Sequence, residues 1–257
     1  MKTLKCASFF AGVGGIDLGF EKTNNFKVVY ANEIDPYPVK TYELNSNIKV
    51  DCRDIKDVKS DEIPDFDVLL AGFPCQAFSI AGRRKGFDDE KGRGTLFFEV
   101  ARIIKEKQPK IVFLENVKNL ASHNDGKTLE TILKTLDQLG YYVKSDILNA
   151  MDYGNIPQNR ERIYLVCFRN DIAPKEFLFP EGDKKDVSIR DILDDAPIPS
   201  KYYLSDVYVN TLRAHKARHE AAGHGFGYVI RELDGIAGTI VCGGMGREGN
   251  LLIDHRE

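Results

Sequence analysis

No stretch of the 257-residue chain is apolar enough to cross a membrane. Its first residues, MKTLKCASFF, carry two lysines but lack the long apolar segment and small-residue cleavage site of a secretory signal, so a cytoplasmic location is expected. Cysteine is sparse and scattered. Cys6, Cys52, Cys75, Cys167 and Cys242 are odd in number and have no CxxC spacing, which argues against a disulfide framework and against a structural zinc site. Reduced thiols are expected. A formal net charge of -3 provides no global attraction to nucleic acid, so any DNA contact has to come from a local basic surface. There is no internal repeat and no low-complexity tract. What remains is ordinary globular composition, 42% hydrophobic and 29% charged, at a length that allows one large domain or one with a small appendage.

From Leu4 to about Arg169, short apolar runs alternate with amphipathic stretches, the pattern of βαβ units around a largely parallel sheet. LKCASFF, KVVYANE, DFDVLLAG, KIVFLENV and RIYLVCF read as strands, whereas TLFFEVARIIKEK and TLETILKTLDQL space their apolar residues as helices do. After Phe168 the chain becomes rich in Pro, Asp and Lys, then short, polar and dotted with glycine. A boundary near residue 170 is expected, dividing the chain into 1–170 and 171–257.

The first strand runs into FFAGVGGIDLGF, with glycines at 12, 14 and 15. Glycine tolerates positive φ and lets a ligand approach the backbone. The dinucleotide fingerprint G-x-G-x-x-G would need a third glycine where Asp17 stands, which weighs against a nicotinamide enzyme. Glu33 ends the second strand, where an acid can take two ribose hydroxyls, and Asp54 is expected near the end of a third strand, within reach of an adenine amino group. Two readings stay open: an adenosine pocket, or a tight turn beside solvated acids.

Cys75 follows LLAGFP, just past the carboxyl end of a strand, where open α/β sheets keep their ligands. Cys6 and Cys167 lie inside strand patterns and read as small core hydrophobes. Cys75 instead has Pro74 and Gln76 as neighbours and Arg83, Arg84 and Lys85 downstream, cations that can lower a thiol pKa. Glu115 and Asn116 end the IVFLENV strand, and a glutamate closing an apolar run is expected to hold a proton, unless it only caps or salt-bridges. In YGNIPQNRERIYLV, Gln158, Arg160 and Arg162 fall on one face if the strand begins there. Two arginines so placed can clamp a phosphate or a carbonyl.

In order along the chain, FFAGVGG, NEID, GFPCQAFS, ENV and QNRER together resemble the DNA (cytosine-5)-methyltransferase family of the bacterial restriction-modification type, over about two-thirds of the length. The resemblance implies a Rossmann-like α/β fold with a mixed, mostly parallel sheet and a small, partial target-recognition domain. It implies S-adenosylmethionine as donor, with Phe10, Gly12, Gly14, Glu33, Ile34, Asp54, Ile55 and Pro74 around it, and no metal. The acceptor it implies is a cytosine flipped out of double-stranded DNA. Catalysis would rest on Cys75, Glu115, Arg160 and Arg162, with Gln76, Ser79, Arg83, Arg84, Asn116, Val117, Gln158 and Thr239 contacting substrate. The glycine-rich, cationic SIAGRRKGFDDEKGRG would close as a lid.

Past residue 170, Arg218, Arg231, Arg247 and Thr239 are candidate phosphate or base contacts. His215, His219 and His224 have a spacing that permits zinc, but no cysteine pair completes four ligands. The family's closing motifs are not found before LLIDHRE, so either a second subunit supplying them or a chain cut short of them is expected. The competing readings are a DNA-binding subunit with little activity of its own and an RNA cytosine-5 methyltransferase.

Overall fold

A computed structural model describes residues 3–74, 96–183, 186–225, 227–241 and 247–253. The chain forms two compact units, one of Met1–Leu148 with Arg162–Phe179, the other of Asn149–Glu161 with Pro180–Glu257.

Among the described residues of the first unit, strands β1 (Leu4–Phe9), β2 (Phe26–Asn32), β3 (Val68–Ala71), β4 (Ile111–Val117), β5 (Tyr141–Asn149) and β6 (Glu161–Arg169) make one sheet in the order β2-β1-β3-β4-β6-β5. β1 through β4 pair in parallel, and β6 runs antiparallel to β4. β1 and β3 are central and read as nearly unbroken apolar runs because both of their faces are covered. On one face Cys6, Val28, Val68 and Leu70 meet Ile16 and Phe20 of helix α1 (Gly15–Glu21). On the other face, Ala7, Phe9, Leu69, Ala71, Val112 and Leu114 pack against two helices, α3 (Leu96–Lys107) and α4 (Lys127–Gln138). α3 contributes Phe97, Val100, Ile103 and Ile104, and α4 contributes Ile132 and Leu136, all at the 3- and 4-residue spacing of a core-facing stripe. Helix α2 (Pro36–Asn45) starts under an Asp35 cap that accepts from the Tyr37 N–H at 2.9 Å.

This arrangement decides where chemistry can gather. The carboxyl ends of β1, β2, β3 and β4 share one edge of the sheet, and the antiparallel β6 delivers its amino end to that same edge. Val117 pairs with Arg162 there, so the last residue of β4 lies opposite the second residue of β6.

Two expectations are corrected. Asp54 does not end a strand: only an isolated Asn32–Asp51 bridge forms, and Asp54 caps the 3-10 turn Ile55–Asp57, accepting from the Lys56 N–H at 3.0 Å. The strand that carries Arg162 begins at Glu161, after Gln158 and Arg160, so the three do not lie along one strand face. In the second unit a short helix, α5 (Ala150–Tyr153), comes first, and the polar stretch holds a longer one, α6 (Asp206–Ala221), capped by Ser205 and with no buried residue. It has no apolar stripe to betray it in the sequence.

Candidate active site

The turn after β1 is shaped by backbone conformation and then locked from two sides. Gly12 (φ +55°) and Gly14 (φ +87°) take left-handed conformations that favour glycine. A Cβ on Gly14 would stand 2.8 Å from the Tyr42 ring, whereas one on Gly12 would meet nothing within 4 Å. The Gly12 N–H donates to Glu33 Oε2 at 2.9 Å, and Glu33 Oε1 accepts from the Asp35 N–H at 2.9 Å. Glu33 therefore ties the glycine turn to the end of β2. Beside it the apolar side chains of Val13 and Ile34 are exposed. Open space before Gly12, an acid at its rim and uncovered apolar side chains are what an adenosine-bearing donor needs, so these residues fit the group the sequence implies.

Asp54 is brought toward this rim by groups that sequence reading passed over. The buried Asn32 amide donates to the carbonyls of Asp51 and Arg53, at 2.9 Å each, pinning that segment beside Glu33. Arg102 of α3 donates to the carbonyls of Ile55 and Val58 at 3.2 and 3.0 Å and pairs with Glu99 at 2.9 Å. Ile55 itself is buried in the core, and its carbonyl is engaged by Arg102. Phe10 stands half-buried at the start of the turn with φ 53°, an uncommon value for a non-glycine residue.

At the shared edge, Glu115 and Arg162 meet. Glu115 faces Tyr164 across the antiparallel pair, so Arg162, two residues away, lies on the same face as its diagonal neighbour. Arg162 Nε reaches Glu115 Oε1 at 3.0 Å, with both side chains mostly shielded. A Cβ on Gly72 would stand 3.5 Å from Glu115 Oε2, so the end of β3 runs close by the pair. Asn116 is buried; its amide donates to the Phe73 carbonyl at 2.8 Å, and its Oδ1 accepts from the Val117 N–H at 2.8 Å. Asn116 thus fixes the peptide leading into Pro74 and Cys75, while Val117 and Pro74 are exposed. Cys75, Gln76, Ser79, Arg83, Arg84 and the expected lid lie outside the described residues, as does the Arg247 side chain. Burial pushes the Cys6 thiol up to about 12 and raises that of Cys167 too, which leaves both as inert core residues.

The second unit brings Gln158 and Thr239 together. Gln158 bridges to Ala237, its Oε1 accepts from the Ile240 N–H at 3.2 Å, and the Thr239 hydroxyl donates to the Asn159 carbonyl at 2.9 Å. The Arg160 N–H donates to Asn149 Oδ1 at 2.9 Å. The His215 and His219 rings lie 4.4 Å apart on α6, but among the described residues no group of His, Cys, Asp or Glu has the geometry of a metal site.

The family model of C-5 cytosine-specific DNA methylases matches residues 4–251, nearly the whole chain. The chain belongs to that family. Type II methyltransferase M.HpaII of Haemophilus parainfluenzae is 50% identical over 250 residues, covering 96% of this chain and 69% of the relative. Type II methyltransferase M.HhaI of Haemophilus parahaemolyticus is 50% identical over 190 residues, covering 74% of this chain and 57% of the relative. The methylase chain thus spans 57% of one and 69% of the other. Among solved structures, S. pombe Dnmt2 methyltransferase matches with a TM-score of 0.67 at 21% identity, covering 91% of this chain and 69% of that one. That likeness speaks for the Rossmann-like α/β fold. Membership in the methylase family removes the nicotinamide alternative.

Proposed function

We propose that this chain methylates carbon 5 of cytosine in a short duplex DNA site, using S-adenosylmethionine and a covalent adduct at Cys75, and that it protects host DNA from a restriction enzyme. The observation that carries the reading is the Glu115–Arg162 pair at 3.0 Å, beside the end of the strand whose next residues are Gly72, Phe73, Pro74 and Cys75. The first unit then serves donor binding and catalysis, and the second serves target recognition.

Carbon 5 of cytosine is a weak nucleophile until the ring is activated. The Cys75 thiolate adds to carbon 6, forming a carbon–sulfur bond and sending an electron pair into the ring. Glu115 in its protonated form donates to ring nitrogen 3 and accepts from the exocyclic amine, and Arg162 turns toward the ring carbonyl, so the developing charge meets preorganised partners. To do so Glu115 has to share Arg162 with the base. Bound S-adenosylmethionine supplies the electrophilic methyl that carbon 5 takes up. A base then removes the carbon 5 proton, the carbon–sulfur bond breaks, and Cys75 leaves. Gly12, Gly14, Glu33, Ile34 and Asp54 would hold the donor. Asn116 orients the Phe73–Pro74 peptide ahead of the nucleophile. None of this can occur inside a stacked helix, so the target base is extruded at a cost of about a few kcal/mol.

The test is transfer of tritiated methyl from S-adenosylmethionine to unmethylated plasmid DNA, by the wild-type chain and by Cys75→Ser. Transfer by the wild type and none by the variant, with S-adenosylhomocysteine binding retained in both, is expected. Substantial turnover by Cys75→Ser would overturn the covalent route, and no transfer by the wild type, even after a C-terminal fragment of a relative is added, would favour a DNA-binding subunit.

A further inference from the structure

Three polar side chains from three elements are buried together behind the glycine turn. Asp17, on the first turn of α1, is 3% exposed. Its Oδ1 accepts from the Ser8 hydroxyl of β1 and its Oδ2 from the Tyr42 hydroxyl of α2, each at 2.6 Å. Burial raises its carboxyl pKa, and the two hydroxyl bonds oppose that rise. A carboxyl taken out of water is a costly way to join a helix to a sheet, since an apolar side chain of similar volume would serve packing as well. What an apolar side chain would not do is fix the orientation of a neighbouring ring. The Tyr42 ring fills the space a Gly14 Cβ would need, with Cε2 and Cδ2 at 2.8 and 2.9 Å from that position. The left-handed turn at Gly14 is therefore backed by a ring whose hydroxyl Asp17 holds. The same α2 is linked at its start to Glu33, through Asp35, so the device reaches both sides of the donor cradle.

We propose that Ser8, Asp17 and Tyr42 are positioning residues for the methyl donor, acting through the Gly12–Gly14 turn that they back. This rests on the reading that the turn holds S-adenosylmethionine. Asp17 then occupies the place of a third fingerprint glycine as a strut.

The experiment compares the wild-type chain with Tyr42→Phe and Ser8→Ala by calorimetric titration of S-adenosylhomocysteine and by methyl transfer at varied donor concentration. Removing one hydroxyl bond to the carboxyl is expected to raise both the Kd and the donor KM about tenfold, with kcat at donor saturation within about twofold of wild type. Ile132→Val, on the core face of α4, is the control: it lowers Tm and leaves the Kd unchanged. Should Tyr42→Phe not fold, Ser8→Ala carries the same test. Hydroxyl variants that bind as tightly as wild type, or that lose kcat without losing affinity, would overturn this inference alone. A wild-type chain that does not bind S-adenosylhomocysteine would overturn the donor reading beneath it as well.

Discussion

Glu115 and Glu33 are both acids at strand ends, yet they have different kinds of partner. Glu115 faces a guanidinium on the edge that leads to Cys75, whereas Glu33 holds two backbone N–H groups beside the glycine turn. Glu115→Gln is expected to slow methylation by roughly 10²–10⁴-fold, the usual worth of acid–base and electrostatic help, with donor affinity little changed. Glu33→Ala is expected to do the reverse, weakening S-adenosylhomocysteine binding, and a paired titration and single-turnover measurement separates the two. A Glu115→Gln chain that loses donor binding but keeps its rate would place that acid on the wrong ligand. At this scale the sequence was legible where a residue broke its local pattern, as at Glu115, a glutamate that ends an apolar run and meets Arg162; Cys75, beside proline and glutamine, lies outside the described residues. Asn32, Tyr42 and Arg102 broke no pattern. Each reads as a routine strand end or helix residue, and only tertiary partners reveal its task.

Element by element, legibility followed burial. β1, β3 and β4 were plain because covering both faces of a strand leaves a short apolar run between polar turns. α3 and α4 were plain because a half-buried helix must carry a stripe. α6 has no fully buried residue, and the segment around Asp51 is held by one isolated bridge and by side chains instead of a ladder, so neither left a plain periodic trace. That segment has its own signature in acid. Arg53 chiefly, and Tyr30 in addition, hold the Asp51 carboxyl below its ordinary 3.8, against the pull of burial. A carboxyl depressed in the folded state contributes stability that is present above its unfolded pKa and lost as pH falls through the folded value. Asp51→Asn should therefore melt below wild type near pH 7, and the gap should close as pH falls below about 4. Thermal melts of the two proteins across that range check the sign. A gap independent of pH would mean that Asp51 contributes only packing.

For the molecule as a whole, the parallel core was legible from the alternation of strands and helices, but the insertion of antiparallel β6 between β4 and β5 was not, because apolar periodicity carries no direction. That insertion is what matters most for chemistry. With β6 parallel to β4, Arg162 would start at the opposite edge of the sheet from Glu115; reversed, it arrives 3.0 Å away. The two-unit division likewise escapes a linear reading, since Asn149–Glu161 belongs with the later residues and Arg162–Phe179 with the earlier ones.

The most direct test of the account is mass spectrometry of the wild-type chain incubated with S-adenosylmethionine and duplex plasmid fragments in which 5-fluorocytosine replaces cytosine. Fluorine at carbon 5 blocks the final proton removal, so the account predicts a stable protein–DNA adduct whose only modified peptide contains Cys75, bonded to carbon 6 of a methylated fluorocytosine. An adduct on another residue, or methyl transfer to fluorocytosine-free DNA with no adduct trapped from the fluorinated fragments, would contradict it.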